Sequence, residues 1–506
     1  MKHSPKGVFV ILFTIIFNFF FWHEKFGLNL VLFTLLFGGI LYFSNPNTRF
    51  KAQTILALVG IGISSFSILY HNSFFSKLML FCSVFLYLAS LMEKEIVTIY
   101  HLIPSGFLGV ITSPFRKHSF FKSPKTGVTG KSWKYLKLSI IPFGITILFM
   151  IIYSMANPIF AEKLNYIVNN LGDYLANILK HYSLGRFIFI GIGLLIGIGI
   201  FYYRSLGLFD DSAKNYKANL ERKKNKQNPN SRNTSILALK TERNSAVLTL
   251  ILLNGLLLFV NLLDINVFFI QETTINSNYS SELHKGTWVL IFSIILSASM
   301  VIFVFRKNLN FYKNNSALKI ISYVWILQNI ILASSVIVRV YYYIEHHGLA
   351  YKRIGVLVFV VATIIGLVTL GYKVKNKKTI SFLFKVNGVS IFTILLITSS
   401  FNWDVIIAKH NLVNAQVKKI DYLFELSLSD KTLPILDKHR DKLKLKNYAY
   451  RSYSFYFPWV KNMSLTEKLD QRIENFKTKQ KKRTWLSWNL SDQKTKAYFE
   501  SNQDTK

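Results

Sequence analysis

The sequence predicts an all-α protein: a polytopic transmembrane helical bundle of about eleven spans, followed by a small soluble helical C-terminal domain. Three observations predict it. Hydrophobic residues form 51% of the 506-residue chain, and they gather in blocks of about 16–26 residues, the length that carries a helix across about 30 Å of hydrocarbon. These blocks are too long and too continuously apolar for barrel strands, which alternate over about 10 residues, and in lipid only helices and closed barrels satisfy every backbone group. The segments between blocks alternate between rich and poor in Lys and Arg.

The blocks are Gly7–Trp22, Leu28–Phe43, Thr54–Tyr70, Phe75–Met92, Leu136–Tyr153, Arg186–Tyr203, Ser245–Ile270, Thr287–Phe305, Ala317–Tyr343, Ile354–Tyr372 and Phe382–Ser400, which together with their connections make residues 1–400 the membrane bundle. The first block follows Lys2 and Lys6 and ends in Trp22-His23-Glu24-Lys25 with no small-x-small site, so it reads as an uncleaved signal-anchor.

One alternate set of connections (the N-terminus, 44–54, 93–137, 204–243, 306–319 and 371–385) holds 31 Lys and Arg; the other (23–27, 71–77, 155–186, 271–286 and 344–353) holds 8. The positive-inside rule places the first set in the cytoplasm. The N-terminus is then cytoplasmic and, after an odd number of spans, the C-terminal segment is extracytoplasmic. Much of the formal charge of +36 is therefore topological signal facing anionic headgroups, and no nucleic-acid partner is expected. Expected partners are the lipid bilayer, anionic lipid headgroups and, as further candidates, other envelope proteins.

Two connections stand out. Residues 204–243, with the run Glu221-Arg222-Lys223-Lys224, read as a basic, flexible cytoplasmic linker. Residues 158–182 place Leu164, Ile167, Val168, Leu171, Leu175, Ile178 and Leu179 at helical spacing, which predicts an amphipathic interfacial helix. After the last block, residues 401–506 carry 21 Lys and Arg against 12 Asp and Glu, a net +9. They form no run long enough to span and read as short helices with a polar tail, with Ser429 and Ser464 as N-caps.

Signatures of chemistry are absent from the sequence. A single cysteine, Cys82, rules out an intrachain disulfide and a Cys-x-x-Cys site. Gly191-Ile192-Gly193-Leu194-Leu195-Ile196-Gly197 lacks the third glycine of a dinucleotide loop and reads as a Gly193-xxx-Gly197 helix contact. Glu345-His346-His347 diverge around a helix, so neither metal nor cofactor is expected, and no catalytic residue is assigned.

Several strings, in this order, carry a resemblance: Asn157-Pro158-Ile159-Phe160; Leu239-Lys240-Thr241-Glu242-Arg243-Asn244-Ser245-Ala246-Val247; Asn261-Leu262-Leu263-Asp264-Ile265; His284-Lys285-Gly286-Thr287-Trp288; Ala408-Lys409-His410-Asn411-Leu412; and Asp421-Tyr422-Leu423-Phe424-Glu425-Leu426-Ser427. From about residue 140 to 440 the chain resembles bacterial polytopic membrane proteins with a domain of unknown function, of the 4153/4173 type. His410 stands where an aromatic is expected, and a basic insertion precedes Leu239. The resemblance implies a bacterial cell (inner) membrane protein and brings no activity.

Polar residues inside spans are functional candidates by default. Asn254, Asn261 and Asp264 share one stripe of the seventh block, and Gln328 and Arg339 share one of the ninth. Depth places Asp264 and Arg339 together near the outer face, followed on that side by Glu272, His284 and Glu345. The alternative is that the amides join helices and Arg339 snorkels. The leading functional expectation is a non-enzymatic envelope sensor, scaffold or regulator. A transporter with a polar site between spans 7 and 9 is the alternative, and an envelope enzyme acting on a lipid-linked substrate the second.

Overall fold

The computed structural model describes residues 5–45, 51–93, 96, 98–116, 142, 146, 149–150, 153–154, 156–166, 184–207, 216–221, 231–266, 277–312, 314–413, 420–444 and 464–501. In chain order the helices are α1 (Pro5–Phe21), α2 (Leu28–Ser44), α3 (Ala52–Tyr70), α4 (Phe74–Met92), α5 (Ile99–Thr112), α6 (Leu184–Phe201), α7 (Ser231–Ile265), α8 (Ser277–Val304), α9 (Ser316–His347), α10 (Tyr351–Lys375) and α11 (Ile380–Ser399). Shorter helices follow: α12 (Trp403–Val413), α13 (Tyr422–Ser427), α14 (Leu433–Lys438), α15 (Arg440–Lys444), α16 (Leu465–Lys481) and α17 (Leu490–Ser501).

Among the described residues, seven helices are long and apolar enough to cross a membrane: α3, α4, α6, Leu239–Ile265 of α7, α9, α10 and α11. Lys6–Phe21, Leu28–Ser44 and Val289–Val304 are shorter apolar helices. These ten match ten of the expected blocks; the remaining one, 136–153, lies for the most part outside the described residues.

Contacts divide the chain into two units, Met1–Glu24 with Gly106–Leu206 and Lys25–Ser105 with Gly207–Lys506. In the first, α1 and α6 pack through phenylalanine rings, with Phe9 on Phe201 at 5.6 Å and Phe17 on Phe189 at 4.8 Å between centroids. The α6 glycines make this approach possible. A Cβ on Gly193 would come within 2.6 Å of the Phe17 ring, and one on Gly197 within 3.0 Å of Phe13. The Gly193-xxx-Gly197 stripe is thus a packing surface. The Arg204 amide donates to Ser113 Oγ (2.9 Å), tying the end of α6 to the turn after α5.

In the second unit, α3 and α4 form a hairpin capped by Ser73, whose hydroxyl accepts from the Ser76 amide at 3.0 Å. Thr54 and Ser90 hydrogen-bond across it at 3.0 Å. Helices α7 to α10 share one hydrophobic core that includes Leu250, Val301, Leu318, Val336, Val360 and Val374. The helices after Ser399 build a separate core from Leu412, Leu433, Leu436, Leu469, Ile473 and Phe476. Ser464 starts α16 with a capping box, its hydroxyl accepting from the Glu467 amide (3.2 Å) and its own amide donating to Glu467 Oε2 (2.8 Å).

Connections of the second unit are sorted by charge class. In the basic set, the Asn219 segment pairs with Lys378, Arg306 approaches Glu242 at 4.0 Å, and Lys51 donates to the Glu93 carbonyl at 3.2 Å. In the weakly basic set, the connections at Lys25, at His71 and Asn72, and at Gly348 and Leu349 all meet the C-terminal helices: Lys25 bonds Ser487, Lys431 bonds the His71 carbonyl, and Asn411 bonds Leu349.

Three expectations change, and a fourth is described only in part. The segment 93–137 was expected as a basic connection, but it contains α5, an apolar helix with Pro104 inside it. At 14 residues it reaches only about 21 Å, too short to span. A proline is loop punctuation in a sequence reading, yet Pro104 sits inside this helix. The linker expected over 204–243 is shortened, because α7 begins at Ser231, extending the spanning helix backward, while residues 216–221 bond the Lys377–Thr379 turn. The interfacial helix expected at 158–182 is helical over 158–166, and its remainder lies outside the described residues. Ser429 precedes a 3-10 turn at Asp430–Thr432, but its hydroxyl does not cap it; it donates to Asp404 Oδ2 at 2.6 Å.

Candidate functional site

The C-terminal helices meet the span ends in a network of buried charges. Asp404, in the first turn of α12, accepts from Ser429 Oγ and Tyr351 Oη and pairs with Lys431 Nζ at 3.2 Å. Lys431 also donates to the His71 carbonyl at 2.8 Å. Burial works against the Asp404 carboxylate, but the Lys431 charge and the two hydroxyls outweigh it and hold its pKa below the usual range. Burial lowers the Lys431 ammonium, opposed by Asp404.

His71 caps the end of α3 and is fully buried; the Ser399 and Ser400 backbone lies near its ring, but neither ring nitrogen reaches hydrogen-bond geometry with a partner among the described residues. Burial, then the Lys431 charge, bring its pKa down to about 4, against the Ser399 and Ser400 backbone and Asp404. The imidazole is therefore neutral at pH 7. Next to it Asn72 adopts φ +48°, in the left-handed region that asparagine tolerates. Its side-chain amide donates to the Phe26 carbonyl at 2.7 Å, while its oxygen is buried without a partner.

A second pair of charges completes this end. Asp492 Oδ2 lies 3.2 Å from Lys25 Nζ and 2.8 Å from Arg483 Nη1. Burial raises its pKa, but Lys25, Asn489 and Arg483 reverse the shift and leave it lowered. Arg472 donates to the carbonyls of Leu426 (2.5 Å) and Leu428 (2.7 Å) and to Asp430 Oδ1 (3.0 Å). Between these groups is a cavity of about 320 Å³ lined by Lys25, His71, Asn72, residues 426–431, Arg472 and Asp492.

Beside it, Asn411 reads the turn between α9 and α10 as a backbone would. Its Oδ1 accepts from the Leu349 amide (2.6 Å) and its Nδ2 donates to the Leu349 carbonyl (2.9 Å) and to Glu425 Oε1 (2.6 Å). Gly348 has φ +77°, and a Cβ there would come within 2.5 Å of Asn411 Oδ1. Glu425 is fully buried, and its Oε2 has no partner among the described residues. Burial pushes its pKa up to about 7, with Asn411 opposing and Asp421 adding to the rise.

The intramembrane residues singled out from sequence form a distinct line between α7 and α9. Arg339 Nη2 meets Asp264 Oδ1 at 2.5 Å, and Ser335 Oγ donates to Asp264 Oδ2 at 2.7 Å. Asn261 Nδ2 donates to the Gln328 carbonyl (3.2 Å) and Asn254 Nδ2 to the Ile321 carbonyl (3.3 Å). Both amide bonds join residues 67 apart, so α7 and α9 run parallel in one register and the asparagines fasten them. The amide oxygens of Asn254, Asn261 and Gln328 are buried without a hydrogen-bond partner among the described residues. Glu345 is half-buried on the last turn of α9, apart from this line. Glu272 and the side chain of His284 lie outside the described residues. Among the described residues no group of three or more His, Cys, Asp or Glu is placed to hold a metal.

Sequence reasoning missed His71, Asp404, Lys431, Glu425 and Asp492. A detectable signal was present: His71 directly follows α3, in a connection that holds a single Lys over residues 71–77, and Asp404 follows the end of α11 within a few residues.

A bundle of apolar helices of spanning length, fastened by amides and one shielded ion pair, defines a multi-pass integral membrane protein. The family described as Domain of unknown function (DUF4153) matches residues 53–439, and the chain belongs to it. No curated protein and no solved structure matches the chain.

Proposed function

We propose that this protein is a non-enzymatic sensor or regulator of the bacterial cell (inner) membrane, with its N-terminus cytoplasmic and its C-terminal helices outside. One observation carries the reading: the C-terminal helices are held on the span ends by buried titratable groups centred on Asp404, Lys431 and His71. Buried polar networks cost free energy unless fully satisfied, so a joint of this composition responds to proton or ligand occupancy where an apolar joint would not. The segregation of basic from weakly basic connections supports the orientation.

A transporter is the second reading, favoured by the unpartnered amide oxygens and the Asp264–Arg339 pair between α7 and α9. Comparison of a deletion strain with its parent separates the readings. Unchanged envelope lipids and solute uptake with altered envelope-stress sensitivity supports the sensor. Lost uptake of a solute would replace it with the transporter, and an altered lipid with an enzyme.

A further inference from the structure

The cavity at the joint has a charge imbalance that points to a ligand. Lys25, Lys431 and Arg472 line it against Asp430 and Asp492. Immediately behind, Arg483 bonds Asp492 and Lys77 lies within electrostatic reach of Lys25 and Lys431, against Asp404 on Lys431. Three cations line the cavity against two carboxylates, and with Arg483, Lys77 and Asp404 behind them the joint as a whole holds two more positive than negative charges among the described residues. A phosphate monoester carries about −1.5 to −2 at neutral pH, which matches that excess.

Hydrogen-bonding capacity agrees. An ammonium has three protons; Lys431 commits two, to Asp404 and the His71 carbonyl, and Lys25 commits one, to Asp492. His71 brings ring nitrogens without a hydrogen-bond partner among the described residues to the same wall, and a buried donor left unpaired is costly. The volume, about 320 Å³, suits a phosphate with a small organic group, at the lower end of ligand sites.

We infer that this cavity binds a phosphate-type oxyanion, supplied either by a lipid headgroup or by a free phosphate compound, held by Lys25 and Lys431 and hydrogen-bonded by His71. This deepens the sensor reading and rests on it for its meaning, while binding itself is measured separately.

The test uses the full-length chain in nanodiscs of neutral lipid, titrated with inorganic phosphate at constant ionic strength, and then in nanodiscs containing phosphatidic acid. Thermal stabilisation is the readout. Lys25→Gln, at a side chain 37% exposed and hence tolerant, removes one cation. Lys479→Gln makes the same charge change on α16 outside the lining. Saturable stabilisation by phosphate, weakened about tenfold by Lys25→Gln and unchanged by Lys479→Gln, is the expected result and assigns a free phosphate source. Stabilisation by phosphatidic acid alone, with the same variant pattern, assigns the headgroup. No stabilisation by either probe, or equal weakening by both variants, overturns the site. Loss of binding in Lys25→Gln with unchanged envelope-stress sensitivity would leave the site standing and overturn the sensor reading instead.

Discussion

Replacing Glu425 by glutamine should make the protein more stable at alkaline pH and expose a hidden acid limb. In the folded protein the Glu425 carboxyl is fully buried, and burial takes its pKa from 4.5 to about 7. Between those values the folded state binds more protons than the unfolded state. Its stabilising contribution is therefore present below pH 4.5 and lost as pH rises through 7. At about 1.4 kcal/mol per pH unit, the loss is about 3 kcal/mol. His71 works in the opposite sense. Its pKa falls from 6.5 to about 4, so the unfolded state binds more protons in that interval. Its contribution is present above pH 6.5 and lost on acidification toward 4, again about 3 kcal/mol. Over the shared interval the two slopes cancel, and the wild-type profile is nearly flat. Glu425→Gln mimics the protonated carboxyl and keeps an oxygen for Asn411 Nδ2. The variant should match the wild type near pH 4.5, exceed it by about 3 kcal/mol at pH 8, and lose stability below pH 6.5. Thermal unfolding of the full chain in detergent, followed by intrinsic tryptophan fluorescence from pH 4.5 to 8, reads this directly; Trp403, Trp485 and Trp488 report on the C-terminal helices. A variant less stable than wild type at pH 8, or a difference constant across pH, would refute the argument.

Four further outcomes follow from the geometry. A double-mutant cycle of Asp264→Asn and Arg339→Gln should give a coupling of about 1–3 kcal/mol in thermal stability, and additivity within about 0.5 kcal/mol would show no interaction. Gly348→Ala should destabilise by about 1–3 kcal/mol, because φ is +77° and the new Cβ meets Asn411 Oδ1; an unaltered melting temperature would contradict it. Gly199→Val should disrupt the packing of α6, since even a Cβ there would lie 2.2 Å from the Val110 carbonyl oxygen, and protease sensitivity at the end of α6 measures it. Reporters fused at the two termini should be active in the cytoplasm at the N-terminus and outside at the C-terminus; a cytoplasmic C-terminal reporter would require an even number of spans.

Hydrophobic periodicity and charge placement determined the class of this protein. Apolar blocks of spanning length leave helix as the form that satisfies the backbone in lipid, and ten of the expected blocks are apolar helices here. Alternating basic content assigned each connection to a set, and within the second unit the described basic connections meet one another while the described weakly basic ones meet the C-terminal helices. Asp264 and Arg339 were legible as neighbours because one helical rise converts sequence distance into depth. The joint was not legible. His71, Asp404, Lys431 and Asp492 are separated by up to 421 positions, and each alone is an ordinary polar residue beside a span. Nothing in a local pattern states that Lys431 will reach the end of α3 or that the Ser429 hydroxyl will leave its own turn for Asp404. Those choices are made where the C-terminal core closes on the span ends, because burying one charge there forces the fold to bring its partner.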